Sequence, residues 1–472
     1  MNYLLITVYC LLFTAITLYR FHYGLFLLFL LLPTYLIRFN IGPLPTTLLE
    51  VMICIIFITW LFKYPISNIQ YRHNLKSLIL NNKFFSIASA LFIMAATISI
   101  LTSSDIRAAA GEWKAFYIEP LLIFLILITF IPDHNNAKKK SISNIQYPIS
   151  NNILSALILS GLATSFLAIY QHSTGWMVPY SFWENRNTFR VTGWYGFPNA
   201  VGLFLSPLVP LAIYLIKKSW DKLKSSNWKL VISNHETTNP NYQLQITNYL
   251  IIISSLLFLI SSPFAILFAK STGGLIGVAA GIGFLLIVYK KTRWPVIIVG
   301  LVSLVGLVSL PSGNAIKKEL FLQDRSGQIR LSIYKETVSF LKDHPLAGAG
   351  LASYSEKIKP YHTTVNGEGI EIFHHPHNIF LTMWVNLGLL GLIGFVLILI
   401  SVFNIQYSIF RKKRKLPIIN YFLLSSLVVV IVTGLVDSPY IKNDLSALFW
   451  TILALLITKS YEQSENPLST FE

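Results

Sequence analysis

Five of the ten histidines in this 472-residue chain, His344, His362, His374, His375 and His377, fall close together in its last third. Imidazole is the side chain whose proton affinity lies nearest neutrality, so such clustering suits proton transfer or the ligation of a transition metal. The group ends in His374-His375-Pro376-His377-Asn378, immediately before a long apolar run. Proline holds the residue before it extended and itself suits a helix start. His377 is therefore expected in the first turn of a helix, where unpaired N–H groups attract phosphate and disfavour imidazolium. A neutral histidine beside a bound anion is a candidate general base. At about 100° per residue, Gly388 returns to within about 20° of His377 and Gly391 falls about 40° to the other side. One helix face is thus expected to run His, Gly, Gly, open to close approach by another helix or a lipid chain.

The elements that must position these residues lie in a membrane. The chain is 54% hydrophobic and only 12% charged, against about 25% charged in soluble proteins, and its mean hydropathy is +0.60. A soluble globular enzyme is excluded. Apolar runs of roughly 20 residues, the length of a membrane-crossing helix, recur throughout. They predict an all-α, polytopic integral membrane protein with about 12 or 13 spans. These are placed near 3–19, 24–37, 44–62, 84–102, 115–132, 152–170, 197–216, 248–269, 273–289, 295–310, 377–401, 418–436 and 442–459. Arg20, His22 and Pro33 interrupt the start, so one of the first two spans is a candidate re-entrant segment. The opening residues lack a basic start and a small-residue cleavage site, and are expected to be a retained membrane segment rather than a signal peptide.

Basic residues collect in loops 63–83, 133–151, 217–247, 290–294 and 402–417, with few acids. The positive-inside rule places these loops and the C-terminal tail in the cytoplasm. The net charge of +17 then follows from topology and needs no nucleic acid partner. Loops 103–114, 171–196, 311–376 and 437–441 fall together on the outer face, with most of the acids. The expected division is N-terminal helices over 1–310, an extracytoplasmic loop or lid over 311–376, C-terminal helices over 377–459 and a tail over 460–472. A phrase recurring at 65–71, 143–147 and 404–407 reads as inserted polar linker. Cys10 and Cys54, both in apolar runs, support neither a disulfide framework nor a thiolate metal site.

His377-Asn378, followed at fixed spacing by Gly388 and Gly391, resembles the signature of the O-antigen ligase and polymerase family. Upstream, Asp343-His344-Pro345-Leu346-Ala347-Gly348-Ala349-Gly350 resembles that family's turn. Arg330 with Tyr334 resembles its arginine and aromatic pair, normally with Trp, and Arg190-Val191-Thr192-Gly193 then Pro198-Asn199 is a further likeness. The motifs cover a core at 170–395. One departure is Lys270-Ser271-Thr272-Gly273-Gly274, where the family often shows Ser-Arg-Gly; a lysine offers a point charge to phosphate without the bidentate fork.

The resemblance implies a metal-independent glycosyltransferase, without cofactor, in the bacterial inner (plasma) membrane, with its active site at the extracytoplasmic face and its C-terminus cytoplasmic. The donor would be an undecaprenyl-diphosphate-linked glycan and the acceptor a hydroxyl on lipid, glycan or protein. It implies His377 as the catalytic residue; Arg190, Arg330, Arg325 and Lys270 as ligands of the donor diphosphate; and Asn378, Gly388, Gly391, Asn199 and Asp437 in support. Guanidinium forks fit phosphate oxygens and stabilise charge on a leaving group, which agrees with those roles. Other readings stand beside it: a zinc site from His374, His375 and His377, a transporter or flippase of lipid-linked glycan, and Glu368 or Glu371 as the base. Glu50, Lys114, Glu119, Lys442 and Asp444 are expected to form structural ion pairs, with partners for Lys114 and Glu119 other than each other.

Overall fold

The computed structural model describes residues 3–42, 44–63, 76, 82–129, 149–178, 189–225, 240–311, 313–365, 368–369, 371–411 and 416–465. The chain is an all-α, multi-pass membrane protein. Helices α1 (Tyr3–Tyr19) and α2 (Phe21–Leu30) meet at an extended Arg20. Pro33 then sits in a short 3₁₀ turn, Leu32–Leu36, ahead of an antiparallel hairpin, β1 (Arg38–Ile41) with β2 (Leu44–Thr47), in which Arg38 faces Thr47. Next come α3 (Leu48–Lys63), α4 (Lys83–Leu101), and α5 (Ile106–Trp113), which runs through a π-helical turn at Lys114–Ile118 into α6 (Glu119–Thr129). After α7 (Ile149–Thr174), α8 (Pro198–Leu205) and α9 (Leu208–Ser225) are separated only by Ser206-Pro207. Then follow α10 (Pro240–Phe268), α11 (Thr272–Val288) and α12 (Arg293–Ser309).

Among the described residues, five helices are long and apolar enough to cross a membrane: Lys83–Leu101, Ser150–Thr174, Pro198–Ser225, Gln245–Phe268 and Ile379–Ile409. Six shorter apolar helices of 10–17 residues accompany them. Each expected span overlaps an observed helix, but the segment near 24–37 ends in the 3₁₀ turn and that near 44–62 starts with β2. Two copies of the recurring polar phrase, at 65–71 and 143–147, lie outside the described residues. The third corrects the linker reading: Asn404–Tyr407 continues a helix, and buried Gln406 donates to the Leu456 carbonyl at 3.3 Å and accepts from Asn420 at 2.8 Å. An amide buried among apolar helices must find partners, and here it ties three helices together.

Between α12 and the next membrane helix the chain builds α13 (Ala315–Leu320), α14 (Arg325–Asp343), α15 (Tyr354–Lys357) and a minimal hairpin, β3 (Thr364–Val365) with β4 (Glu368–Gly369). Asp324 caps α14 through the N–H groups of Ser326 and Gly327. This segment has its own apolar cluster of Phe340, Leu341, Ala349, Tyr354 and Ile358, which docks on Val385 of α16 (Ile379–Arg411). The chain closes with α17 (Ile418–Thr433) and α18 (Asn443–Glu465). In the main core, Phe92, Tyr117, Phe395, Tyr440 and Phe449 pack ring against ring where α4, α6, α16 and α18 meet.

Helix α16 is broken at Gly388, whose φ of 69° and ψ of −176° lie outside the helical region. The turn after α14 docks in that break: Leu389 donates to the Leu346 carbonyl at 3.0 Å and Ala349 to the Val385 carbonyl at 2.6 Å. A Cβ at Gly388 would collide with the Leu346 carbonyl. The expected continuous face of His377, Gly388 and Gly391 is therefore corrected. The glycine serves a backbone junction, and its fixed spacing from His377 spans the stretch of helix between the site and that junction.

Candidate functional site

The loops ending α7, α10 and α17 and the strand-like approach to α16 converge at one end of the bundle. His377 precedes the helix instead of lying in its first turn. It adopts a left-handed φ of 49°, an arrangement costing about 1–3 kcal/mol that surrounding contacts must hold in place. The helix start belongs to Asn378, whose Oδ1 accepts from Phe380 at 3.0 Å and Leu381 at 3.1 Å. Its Nδ2 donates to the Leu435 carbonyl at 3.0 Å, and Ile379 N–H donates to the Gly434 carbonyl at 2.7 Å. The Tyr334 hydroxyl, on α14, donates to the carbonyls of His377 at 2.9 Å and Leu435 at 3.1 Å. Together these bonds fix the turn 434–438 beside His377.

That turn presents Asp437, which is buried. His377 Nδ1 lies 3.2 Å from Asp437 Oδ1, which also accepts from its neighbour Ser438 N–H at 2.8 Å. Asn199 Nδ2 donates to Asp437 Oδ2 at 2.9 Å, and Asn199 Oδ1 accepts from Arg190 Nη2 at 2.7 Å. Arg190 is held further by the Ala269 carbonyl on Nε at 2.9 Å and the Lys270 carbonyl on Nη2 at 3.1 Å. Residues far apart in sequence thus form one chain of hydrogen bonds, Arg190 to Asn199 to Asp437 to His377. Gly202 and Gly274 pack face to face, which lets α8 approach α11 closely enough to set Asn199 against the 269–271 turn.

Burial alone would raise the pKa of Asp437. The opposing charge of His377, then the approach of His375 and the hydrogen bond from His377, outweigh burial and hold the carboxyl well below its ordinary range. An ionised carboxylate only accepts hydrogen bonds, so Nδ1 of His377 is the donor and Nε2 keeps its lone pair in the neutral ring. That is the tautomer a general base requires. Burial pushes the Arg190 pKa down to about 10, helped by the charge of Arg330 and opposed by Asp437; it stays cationic at neutral pH. Arg330, on α14, donates from Nε to the Val436 carbonyl at 3.0 Å and from Nη1 to Ser326 at 2.8 Å.

The structure thus brings His377, Arg190, Arg330, Asn199, Asn378 and Asp437 together. Lys270 has a left-handed φ of 49° and an exposed side chain; its contribution to the network is its carbonyl. Arg325 is exposed at the first position of α14. Gly388 and Gly391 belong to the junction in α16. Glu371 is exposed, the Glu368 side chain lies outside the described residues, and the carboxylate that meets His377 is Asp437. The histidine cluster divides: His344 stacks near Phe340 at 4.8 Å, His362 meets Glu336, and His374 is exposed. His375 lies beside the site, its Nε2 3.8 Å from Asp437 Oδ1. His375, His377 and Asp437 each offer a ligand atom, all within 4.8 Å of one another, so the residues placed to share a metal ion differ from the three neighbouring histidines. The ion-pair expectation holds for Lys114 with Glu50, at 2.8 Å.

Sequence reasoning missed Gln171. Fully buried near the end of α7, its Oε1 accepts from Thr192 at 3.0 Å and Gly193 at 2.8 Å, while its Nε2 donates to the Met177 and Gly193 carbonyls. This amide shapes the loop that carries Arg190. The available signal was an amide side chain at the end of an apolar run, followed by His172.

At one end of the all-α membrane bundle a histidine, a carboxylate and two arginines are thus gathered, groups whose chemistry suits moving a proton beside an anion. Residues 256–396 match the O-antigen ligase family, so over that stretch the chain is similar to membrane enzymes of the glycan-transferring kind. The matched stretch holds Arg330, His377, Gly388 and Gly391, while Arg190, Asn199 and Asp437 flank it. No curated protein is significantly similar to the chain.

Proposed function

We propose that the protein transfers a glycan from an undecaprenyl-diphosphate carrier to an acceptor hydroxyl at the extracytoplasmic face of the bacterial inner membrane, without a metal ion. The observation that carries this reading is the hydrogen-bonded chain from Arg190 through Asn199 and Asp437 to His377. It couples a cation suited to diphosphate with an imidazole oriented as a base. Arg190 and Arg330 would hold the diphosphate and stabilise the charge that develops as the glycosyl bond breaks. His377 Nε2 would take the proton of the acceptor hydroxyl as the new bond forms. A sugar hydroxyl is far more basic than imidazole, so proton transfer must accompany attack, and it contributes about 10²- to 10⁴-fold. The larger share of the acceleration would come from holding donor and acceptor in line and from electrostatic stabilisation. Attack opposite the diphosphate would invert the anomeric carbon. The segment over 311–376, hydrogen-bonded to the His377 turn through Tyr334, would act as the lid that admits the acceptor.

Reconstitution of the purified protein with undecaprenyl-diphosphate glycan and a panel of acceptors, in EDTA, tests this reading. Transfer by the unaltered protein, lost in His377→Ala and Arg190→Ala, is the expected result, and the acceptor consumed distinguishes ligase from polymerase or protein glycosylation. Transfer that survives removal of His377, or movement of the lipid-linked glycan between leaflets without bond exchange, would overturn it.

A further inference from the structure

We propose that His375, His377 and Asp437 form a binding site for a borderline transition-metal ion such as Zn²⁺, and that its occupancy blocks transfer. The binding site stands on geometry alone; only the block rests on the proposed role of His377.

Bonds of about 2.0–2.1 Å to a tetrahedral ion place ligand atoms roughly 3.4 Å apart. Asp437 Oδ1 lies 3.2 Å from His377 Nδ1 and 3.8 Å from His375 Nε2. The three ligand atoms fall within 4.8 Å of one another, so side-chain rotations that close the widest gap by up to about 1.4 Å bring them onto one ion. The rings are already gathered: His375 and His377 have centroids 4.9 Å apart, and Phe373 packs edge-on against His377 at 4.9 Å. Pro376 between the histidines and the left-handed backbone of His377 hold that approach. Asp437 has the outer hydrogen bond that orients a ligating carboxylate, from Asn199 Nδ2 at 2.9 Å. Two imidazoles and one carboxylate match the ligand sets of three-coordinate zinc sites with a fourth position open.

Chemistry also selects the ion. The charges of Arg190 and Arg330 act on this region and weaken it for every cation. Magnesium and calcium bind through oxygen ligands and here would find a single carboxylate. Imidazole nitrogen gives Zn²⁺, Co²⁺ and Cu²⁺ bonds that survive that field. Coordination would use His377 Nδ1, whose proton in the neutral ring points at Asp437. The metal takes that lone-pair position and the ring proton moves to Nε2, so no proton is lost or gained by the ring. Nε2 then has no lone pair with which to accept the hydroxyl proton of the acceptor, and the Asp437 to His377 hydrogen bond is replaced by two metal–ligand bonds.

The test uses the purified full chain in detergent or nanodiscs, stripped with EDTA and titrated with Co²⁺ as an optical probe. The expected result is one equivalent of Co²⁺ with the intense visible absorption of a four-coordinate site, displaced by Zn²⁺ and weakened at least about 10-fold in His375→Ala. Thermal unfolding of that variant checks that it is folded. In the transfer assay, Zn²⁺ should inhibit the unaltered protein reversibly by EDTA, while the transfer that His375→Ala retains, referred to its own metal-free rate, should resist Zn²⁺. Absence of the Co²⁺ absorption, or an unchanged titration in folded His375→Ala, overturns the site. Metal bound through these ligands with transfer undiminished overturns the block. Transfer that vanishes in EDTA and returns with Zn²⁺ overturns both the block and the metal-free reading, yet leaves the site standing. If the unaltered protein transfers no glycan at all, the proposed function and the block fall together, and the Co²⁺ titration still decides the site.

Discussion

Asp437 and Glu336 are both buried carboxylates, and each has an imidazole Nδ1 at 3.2 Å, from His377 and His362 respectively. Their other partners differ in origin. Glu336 receives the Thr363 N–H at 3.0 Å, the Thr363 hydroxyl at 2.6 Å and the Ser332 hydroxyl at 3.3 Å. All belong to α14 or to the strand approach that folds back on it, beside the small apolar cluster of the same segment. Asp437 instead collects Asn199 from α8, His377 from the approach to α16 and, through Asn199, Arg190 from the loop after α7. A carboxylate satisfied by its own neighbourhood closes a loop. One satisfied from three distant parts of the chain defines a place where charged groups meet, and there the histidine keeps a nitrogen for another task.

The largest expected separation between the two sites is in catalysis. His377→Ala should lower single-turnover glycan transfer by at least about 10²- to 10⁴-fold, the range of a lost general base, while binding of donor measured separately is retained. Equal loss of donor binding would recast His377 as a binding residue. Next in size is the cation at the far end of the chain. Arg190→Lys keeps the charge but loses the fork that engages Asn199 and the 269–270 carbonyls; donor affinity should fall roughly 10- to 100-fold, equivalent to about 1.5–3 kcal/mol. Lys at 190 binding donor as well as Arg would show that only net charge matters there.

Much of this site was legible because its residue types are rare in apolar surroundings. Clustered histidines before an apolar run made His377 conspicuous, the resemblance to the ligase and polymerase family pointed to Arg190 and Asp437, and spans of about 20 apolar residues marked the helices between them. What was hidden depends on backbone direction. A count of about 100° per residue assumes an unbroken helix, and neither the left-handed turn at His377 nor the break at Gly388 changes the hydropathy pattern. Pairings across the fold were equally invisible. An amide at the end of an apolar run hints at Gln171, but neither it nor Gln406 reveals its partners, because Gly193 and Leu456 arrive only with the tertiary structure.

A smaller effect tests whether the junction in α16 serves the site or only the fold. Gly388→Ala forces a side chain onto a φ of 69° and against the Leu346 carbonyl, a strain of about 1–3 kcal/mol. Its expected reading is a lower thermal midpoint, with transfer by the folded fraction unchanged below it. A selective fall in turnover at full foldedness would instead show that the segment on α14 must be docked for His377 to be held by Tyr334.

The smallest effect is expected at the second carboxylate. In Glu336→Gln, Ser332, Thr363 and His362 keep a neutral acceptor in place of an ionised one, so stability should fall by about 1–3 kcal/mol. His362→Gln, which removes one partner of several at a partly exposed position, should cost only about 0.5–1.5 kcal/mol. Both changes should be read by denaturation of the segment between α12 and α16, followed through hydrogen exchange at Thr363 and its neighbours, with glycan transfer per folded molecule left as it was. The comparison breaks if His362→Gln depresses transfer while exchange at Thr363 is unaltered. The two carboxylates would then belong to one functional system, with the segment between α12 and α16 supplying a group to the reaction as well as a cover.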